Sequence, residues 1–402
     1  MNKNKTLGSM LIIAGTSIGA GMLALPIASA GIGFSTTLVI LLAVWFLMTY
    51  TALLMLEVHQ YANAEATLNT LAKSLLGKKG QYVANFAVLF LFYSLCSAYI
   101  AGGGSQLQSK IVNLIDIQVA PQVGAIIFAV IIGGIVALGT EAVDKVNRVL
   151  FTVKITVLIA VFYLLTPSIQ SGNLLAMPLE QGLIISAIPI IFTAFGFHGS
   201  IPSVVRYVGI DIQSLRKVMI IGAALPLCIY LLWQTLSQGV VNQETLKDVG
   251  GLSQFIHIIS IKLNSPNFSR FINTFADLAL ATSFLGVSLG LFDFLRDSLK
   301  RGFSKKDRFV TALITFVPPL CFAIFYPKGF ILALGFAAIA LVILALFLPV
   351  SMVWKQRKNN LQNQKGYKVI GGKPALIIVV TCGTIIITAQ LMQLLGVVPK
   401  IG

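Results

Sequence analysis

Charged residues are scarce in this sequence. Only 10% of its 402 residues are charged, whereas roughly 25% of the residues of a soluble domain are. Hydrophobic residues make up 57% of the chain, and the mean hydropathy is +0.90. A chain with so little charge cannot present a surface that water wets. A soluble protein is therefore excluded, and a lipid bilayer must surround most of the chain.

Acidic residues are the scarcer of the two charged classes. Asp and Glu number 13 against 29 Lys and Arg, for a formal net charge of +16. This excess does not indicate nucleic-acid binding, because the basic residues lie in short loops between apolar segments. With the N-terminus in the cytoplasm, 22 basic residues fall in cytoplasmic segments, six in outer segments and one, Lys154, within a span. Because cytoplasmic loops carry the excess of Lys and Arg, this distribution predicts a cytoplasmic N-terminus and, with an odd number of spans, a C-terminus on the outer side of the membrane.

Cysteine and histidine are also rare. The cysteines, far apart within apolar segments and without a CxxC pair, are Cys96, Cys228, Cys321 and Cys382. The expectation for them is small buried apolar side chains rather than disulfides. The histidines are His59, His198 and His257. They are scattered, which argues against a metal site and against a membrane enzyme built on clustered ligands.

Long apolar segments recur along the whole chain. A transmembrane helix needs roughly 17–25 mainly apolar residues, and about eleven segments qualify, which predicts an all-α integral membrane protein. The predicted spans are about 7–33, 35–56, 82–108, 121–140, 148–167, 182–206, 216–236, 273–294, 309–326, 329–350 and 375–395. Within the longest connection, about 237–272, the stretch 252–259 predicts an amphipathic helix over the mouth of the bundle.

Two of these spans contain clusters of residues that disfavour a helix. In the first span, Gly15–Gly21 (GTSIGAG) is followed by Pro26, and in the sixth, Phe195–Ser200 (FGFHGS) is followed by Pro202. Within a helix Gly costs about 1 kcal/mol and Pro about 3. We therefore expect both helices to be unwound at these points. A membrane tolerates this only where the freed backbone groups line a cavity or are otherwise satisfied.

The interruptions occupy spans one and six, which are corresponding positions of two five-helix halves. Paired interruptions are typical of inverted-repeat transporters that bind substrate at mid-membrane. This predicts a single transmembrane domain, 1–402, with repeats at about 7–167 and 182–350 and an extra helix at about 375–395. Half-helix N–H groups suit a carboxylate and freed carbonyls suit an ammonium group, so an amino acid fits both. The competing interpretation is that small residues merely let helices pack closely.

Ionisable residues within the spans are costly and are candidates for function, and of these Asp293 is expected at the inner edge of span eight. Lys154 in span five either reaches the cytoplasmic edge or faces the bundle and exchanges a proton. Asp277, near the outer end of span eight, is a substrate or proton group or a hydrated residue at the interface. His198 lies within the second interruption, as a satisfied polar group or as a substrate or proton ligand.

Several stretches of the chain resemble the hydroxy/aromatic amino acid permeases of bacteria. The matching stretches are Thr6–Ser9 (TLGS), Gly15–Ala24 (GTSIGAGMLA), Ser186–Pro189 (SAIP), Phe195–Ser200 (FGFHGS), Ala276–Gly286 (ADLALATSFLG) and Phe325–Pro327 (FYP). Chain length and span count match as well, so the resemblance covers essentially the whole chain.

The resemblance implies the fold of the leucine transporter and of amino acid–polyamine–cation carriers: two inverted five-helix repeats plus one extra span. It also implies proton-driven import across the bacterial inner membrane, with tyrosine as the expected substrate and tryptophan, or aromatic amino acids in general, as the alternative. In related proton-coupled carriers a span-five lysine occupies the place of a sodium ion, and Lys154 matches that position. The expected partners are the substrate, a proton and the bilayer, with no cofactor, metal, nucleic acid or obligate protein partner.

The substrate is expected to lie between spans one, three, six and eight. The residues predicted to bind it are Thr16, Ser17, Gly19, Ala20, Gly21, Tyr99, Phe192, Thr193, Phe195, Gly196, Phe197, His198 and Thr282. The candidates for proton coupling are Lys154, Asp277 and His198. A buried phenol needs a polar partner, because an unpaired hydroxyl costs roughly 1–3 kcal/mol, and His198, Thr193 and Thr282 are the candidates. A channel stays open as another class of function, which counterflow of labelled substrate distinguishes from a carrier.

Overall fold

The computed structural model of the chain describes residues 3–116, 118–177, 182–302, 304–359 and 366–399. These residues form helices joined by short connections, and no β-strand occurs among them. In chain order the α-helices are α1 (Lys3–Ser17), α2 (Ala20–Ala28), α3 (Phe34–His59), α4 (Leu68–Ile115), α5 (Pro121–Leu138), α6 (Thr140–Leu165), α7 (Ser171–Leu175), α8 (Leu183–Ala194), α9 (Ile201–Val208), α10 (Ile212–Val240), α11 (Gln243–Lys247), α12 (Leu252–Leu263), α13 (Pro266–Ser298), α14 (Lys305–Phe325), α15 (Phe330–Val342), α16 (Leu348–Lys358) and α17 (Gly372–Leu394). A π-helical turn, Ile343–Phe347, joins α15 to α16.

Within the described ranges, ten helical segments are long and apolar enough to cross a membrane. The helices Lys5–Ser17 and Ala20–Ala28 form an eleventh when taken together, with a bend of 50° between them. The prediction of an all-helical membrane protein is therefore confirmed, and the number of spans agrees with the predicted number of about eleven.

Helix α4 is much longer than the predicted span at about 82–108. It begins after Thr67, whose hydroxyl accepts a hydrogen bond from the Thr70 backbone N–H. Gly77 interrupts it with a φ of 73°, a conformation that glycine adopts without strain. Hydropathy marks only the apolar middle of such a helix, so its polar first turns escape the sequence pattern.

Polar caps begin two long helices that follow the second interruption. The Asp211 carboxylate accepts hydrogen bonds from the backbone N–H groups of Gln213 and Ser214 at the start of α10. The Ser214 hydroxyl and N–H hold the pKa of Asp211 below its ordinary value, since they stabilise the carboxylate. Ser265 caps α13 in the same way, through the Phe268 N–H. These caps supply the acceptors that the first turn of a helix lacks.

The packing brings the two interrupted spans together. Helix α2 packs on α8, α1 packs on α10, and α13 packs on both α6 and α4. Spans one, three, five, six, seven and eight therefore meet around the interruptions. The predicted amphipathic helix is confirmed as α12, which packs on α13 and α4 and buries Leu252, Phe255, Ile256 and Ile259.

The cysteines differ from the expectation of burial. Cys96 is buried, but Cys228 and Cys321 are exposed and Cys382 is partly exposed. The expectation is wrong for the exposed pair because a lipid-facing helix surface accepts small apolar side chains as readily as the interior of the bundle does.

Candidate functional site

The first interruption lies between Ser17, the end of α1, and Ala20, the start of α2. Gly19 caps α2 in an extended conformation, with φ −148° and ψ −150°. A Cβ at Gly19 would collide with the Ser283 hydroxyl of α13, so a side chain there would displace this hydroxyl from its place. That hydroxyl accepts a hydrogen bond of 3.0 Å from the Ala20 N–H. A neighbouring span therefore satisfies the first free N–H of α2.

Lys154 of α6 donates hydrogen bonds at the same break, where a backbone carbonyl is left free by the end of the helix. Only 2% of its surface is exposed. Its amine donates hydrogen bonds of 3.1 Å to the Ile18 carbonyl and of 3.1 Å to the Thr282 hydroxyl, and it lies 4.6 Å from the centre of the Phe151 ring. The interpretation of a lysine that reaches the cytoplasmic edge is therefore wrong. The oxygen acceptors favour a charged amine while burial opposes its charge.

The second interruption follows Ala194, where α8 ends. The Gly196 N–H folds back onto the Thr193 carbonyl at 3.1 Å, and a 3₁₀ turn, His198–Ser200, leads into α9. Pro202 lies at the start of α9, where its missing N–H costs no hydrogen bond. The sixth span is thus helical on both sides of a short irregular segment.

The two interruptions touch each other. A Cβ on Gly21 of α2 would lie 3.3 Å from the Ala194 Cα, so the glycine lets the two backbones pack closely and even a methyl group there would be in tight contact. Tyr230 of α10 joins them, with its hydroxyl 2.6 Å from the Ser17 carbonyl and 2.7 Å from the Ala194 carbonyl. These are the terminal carbonyls of α1 and α8, and one phenol proton is shared between them.

Buried aromatic rings surround the second interruption. Phe192, Phe195 and Phe197 are completely buried. Phe195 packs edge-on against Tyr230, with 5.1 Å between ring centres, and Phe197 stacks on His198 at 4.9 Å. Such rings offer stacking and edge contacts to an aromatic ligand.

The candidate partners for a phenol differ in how far they are already occupied. The Thr193 hydroxyl donates to the Pro189 carbonyl at 2.9 Å, with the Leu334 carbonyl at 3.2 Å. Thr282 donates within its own helix and accepts from Lys154. The His198 Nε2 contacts the Thr51 hydroxyl at 2.9 Å, but its Nδ1 is buried and has no hydrogen-bond partner among the described residues.

Tyr99 of α4 lies on the α13 side of the first break. It is buried, and its hydroxyl interacts with Ser283, the residue that holds the Ala20 N–H. The hydroxyl that holds the first turn of α2 is thus itself in contact with a phenol. A carboxylate is a stronger acceptor for a helix N-terminus than a hydroxyl.

Two predicted residues lie apart from this group. Thr16 is exposed, and its hydroxyl donates to the Ile12 carbonyl of its own helix. Asp277 forms an ion pair with Lys110 of α4, and both side chains are partly exposed. The structure thus brings Lys154 and Thr282 to the first break and His198 to the second, but it engages Asp277 elsewhere.

Sequence reasoning missed three residues at the site. Ser283 lies within a stretch quoted for the resemblance, next to Thr282, but it was not singled out. Tyr230 had a weak signal, since Gln234 and Gln238 follow it at four-residue spacing on one buried face of α10. No feature of the sequence pointed to Thr51, because nothing in α3 distinguishes it from other buried threonines.

Comparison with known proteins extends over the whole chain. Residues 2–390 match the model of the tryptophan/tyrosine permease family. Tyrosine-specific transport system 1 of Haemophilus influenzae is 44% identical over 98% of this chain and 99% of its own length. Tyrosine-specific transport system 2 of the same organism is 39% identical over 100% of both chains. A tryptophan-specific transport protein of Pseudomonas aeruginosa is 33% identical over 98% of this chain and 96% of its own.

Proposed function

Since the chain belongs to the tryptophan/tyrosine permease family, and so is a membrane transporter rather than an enzyme, we propose that it imports tyrosine across the bacterial inner membrane together with a proton. The choice of tyrosine is supported by the names of the similar proteins. Those named for tyrosine are 44% and 39% identical, and one named for tryptophan is 33% identical. Transport of tryptophan, or of aromatic amino acids in general, is the alternative.

The proposed architecture is a pair of inverted five-helix repeats, at about 7–167 and 182–350, with α17 as the extra helix. Its support is the position of the irregular segments: one follows α1 in span one, and the other follows α8 in span six. In inverted-repeat transporters such segments lie at the repeat interface, where the substrate binds. The basic residues support a cytoplasmic N-terminus and a periplasmic C-terminus, although Lys365 and Lys400 lie outside the described residues.

The substrate is proposed to bind between the two interruptions. Its carboxylate meets the N-terminus of α2 near Ala20 and Gly21, where it replaces the Ser283 hydroxyl as the acceptor. Its ammonium group meets the terminal carbonyls of α1 and α8, which carry the negative end of each helix dipole. Its ring lies among Phe192, Phe197 and His198 in the second interruption.

The proposal of proton coupling is supported by the position of the Lys154 amine, which donates hydrogen bonds to the Ile18 carbonyl and the Thr282 hydroxyl. When protonated, this amine ties α6 to the broken first span and to α13. When it is neutral, the charge that favours both contacts is gone, and hydrogen bonds to a charged group are worth roughly twice those to a neutral one. The proton therefore determines how tightly span one is held to its neighbours, and a carrier needs such a link between proton and conformation.

Uptake by purified protein in proteoliposomes tests the proposal. An inward proton gradient should drive labelled tyrosine above its external concentration, and a protonophore should abolish the accumulation. Unlabelled tyrosine should compete better than phenylalanine or tryptophan. Equal competition by all three amino acids would show that the protein transports aromatic amino acids in general. Uptake that does not depend on the proton gradient would contradict proton symport. Counterflow of labelled tyrosine into preloaded vesicles should occur, which a channel does not support.

A further inference from the structure

The His198 ring contacts the protein through one of its two nitrogens. Its Nε2 lies 2.9 Å from the Thr51 hydroxyl oxygen of α3. The same hydroxyl lies 3.2 Å from the Met48 carbonyl, which can only accept. A hydroxyl has a single proton. If Thr51 donates that proton to Met48, its oxygen must accept from His198, and Nε2 is then the nitrogen that carries hydrogen.

The other ring nitrogen has no such partner. His198 is 3% exposed, and its Nδ1 makes no hydrogen bond with any residue that the structure describes. In a neutral imidazole with hydrogen on Nε2, Nδ1 is an acceptor. A buried acceptor without a donor costs roughly 1–3 kcal/mol. Native proteins leave few such groups without a reason.

We propose that Thr51 is a positioning residue that holds His198 with its hydrogen on Nε2, so that the bare Nδ1 accepts a hydrogen bond from a donor group on the ring of the substrate. The inference rests on the proposed transport of tyrosine and adds the chemistry of its selection. The substrate class is an aromatic amino acid whose ring ends in a hydrogen-bond donor. Phenylalanine leaves Nδ1 unsatisfied, whereas a phenol satisfies it.

This assignment distinguishes a donor from a merely polar substituent. 4-Aminophenylalanine carries N–H donors where tyrosine carries its hydroxyl, while 4-fluorophenylalanine has a similar shape and no donor. Competition against labelled tyrosine should place 4-aminophenylalanine near tyrosine and 4-fluorophenylalanine near phenylalanine, with about tenfold between the two groups. Equal competition by the two analogues would overturn the assignment of Nδ1 as an acceptor.

Variants of α3 test the role of Thr51. Thr51→Val keeps the shape of the side chain and removes the hydroxyl, so the preference for tyrosine over phenylalanine should fall about tenfold, with the inhibition constant of phenylalanine unchanged. Thr51→Ser keeps the hydroxyl and should keep the preference. Thr49→Val is the matched control, because Thr49 is a buried threonine of the same helix whose hydroxyl has no partner among the described residues.

The outcomes separate this inference from the proposed function. A wild-type protein that takes up no tyrosine contradicts the proposed function itself. A wild-type protein that takes up tyrosine without preferring it over phenylalanine leaves transport standing and overturns selection through Nδ1. A clear wild-type preference that Thr51→Val leaves intact overturns only the role of Thr51.

A spectroscopic readout covers the case in which Thr51→Val fails to fold. In ¹⁵N spectra of histidine-labelled wild-type protein, the His198 signals are identified by their loss in His198→Gln. They should show an unprotonated Nδ1 that shifts on addition of tyrosine but not of phenylalanine. A protonated Nδ1 would overturn the proposal.

Discussion

The amine of Lys154 lies 3.1 Å from the carbonyl oxygen of Ile18, within the break of the first span. A side chain of span five therefore occupies a backbone acceptor of span one. This acceptor exists only because the helix is interrupted there. The contact links the one buried lysine among the described residues to the backbone that is proposed to bind the substrate.

Removing this amine should uncouple transport from the proton. We expect Lys154→Ala to lose accumulation of tyrosine under a pH gradient, so that the internal concentration only reaches the external one, while exchange of tyrosine across the membrane persists. Lys145→Ala is the matched control, because Lys145 is an exposed lysine of the same helix. Normal accumulation by Lys154→Ala would assign the proton to another group.

Removing the Tyr230 hydroxyl should loosen the junction of the two interruptions. Tyr230→Phe leaves the Ser17 and Ala194 carbonyls without their shared donor, which should cost about 1–3 kcal/mol. We expect a lower midpoint of thermal unfolding in detergent and weaker binding of tyrosine. Tyr163→Phe, at a position 78% exposed, should change neither quantity. If Tyr230→Phe matches the wild type in both, the phenol does not hold the junction.

A side chain at Gly21 should block the approach of α2 to α8. Its Cβ alone would lie 3.3 Å from the Ala194 Cα, and the branched side chain of valine would require the backbones to separate. Gly21→Val should therefore abolish tyrosine binding, measured by scintillation proximity with labelled substrate. Gly134→Val, where a Cβ meets nothing within 4 Å, should bind normally. Normal binding by Gly21→Val would show that the first interruption serves helix packing and not substrate binding.

Accessibility of single cysteines tests the proposed topology. In a background without native cysteines, Lys306→Cys lies at the start of α14 and Val397→Cys follows the end of α17, where the native valine is 65% exposed. Applied to intact cells, an impermeant thiol reagent should modify position 397 and spare position 306 until the membrane is permeabilised. Labelling of both positions from outside would contradict a cytoplasmic N-terminus with eleven spans.

The sequence by itself determined that the protein is an all-helical membrane protein, and it located the spans. It also predicted interruptions near Gly19 and Gly196, positions that lie between consecutive helices of the structure. These properties are local, because hydropathy is summed over one helix length and the cost of Gly and Pro falls on the helix that contains them.

Only the tertiary structure decided what satisfies the freed backbone groups. Tyr230 reaches the Ser17 carbonyl across 213 residues of sequence, and Ser283 reaches the Ala20 N–H across 263. Which face of α6 turns inward likewise decided that Lys154 binds the first break instead of reaching the membrane edge. Such pairings follow from the packing of whole helices against one another, and no periodicity within a single helix encodes which distant residue its broken end will meet.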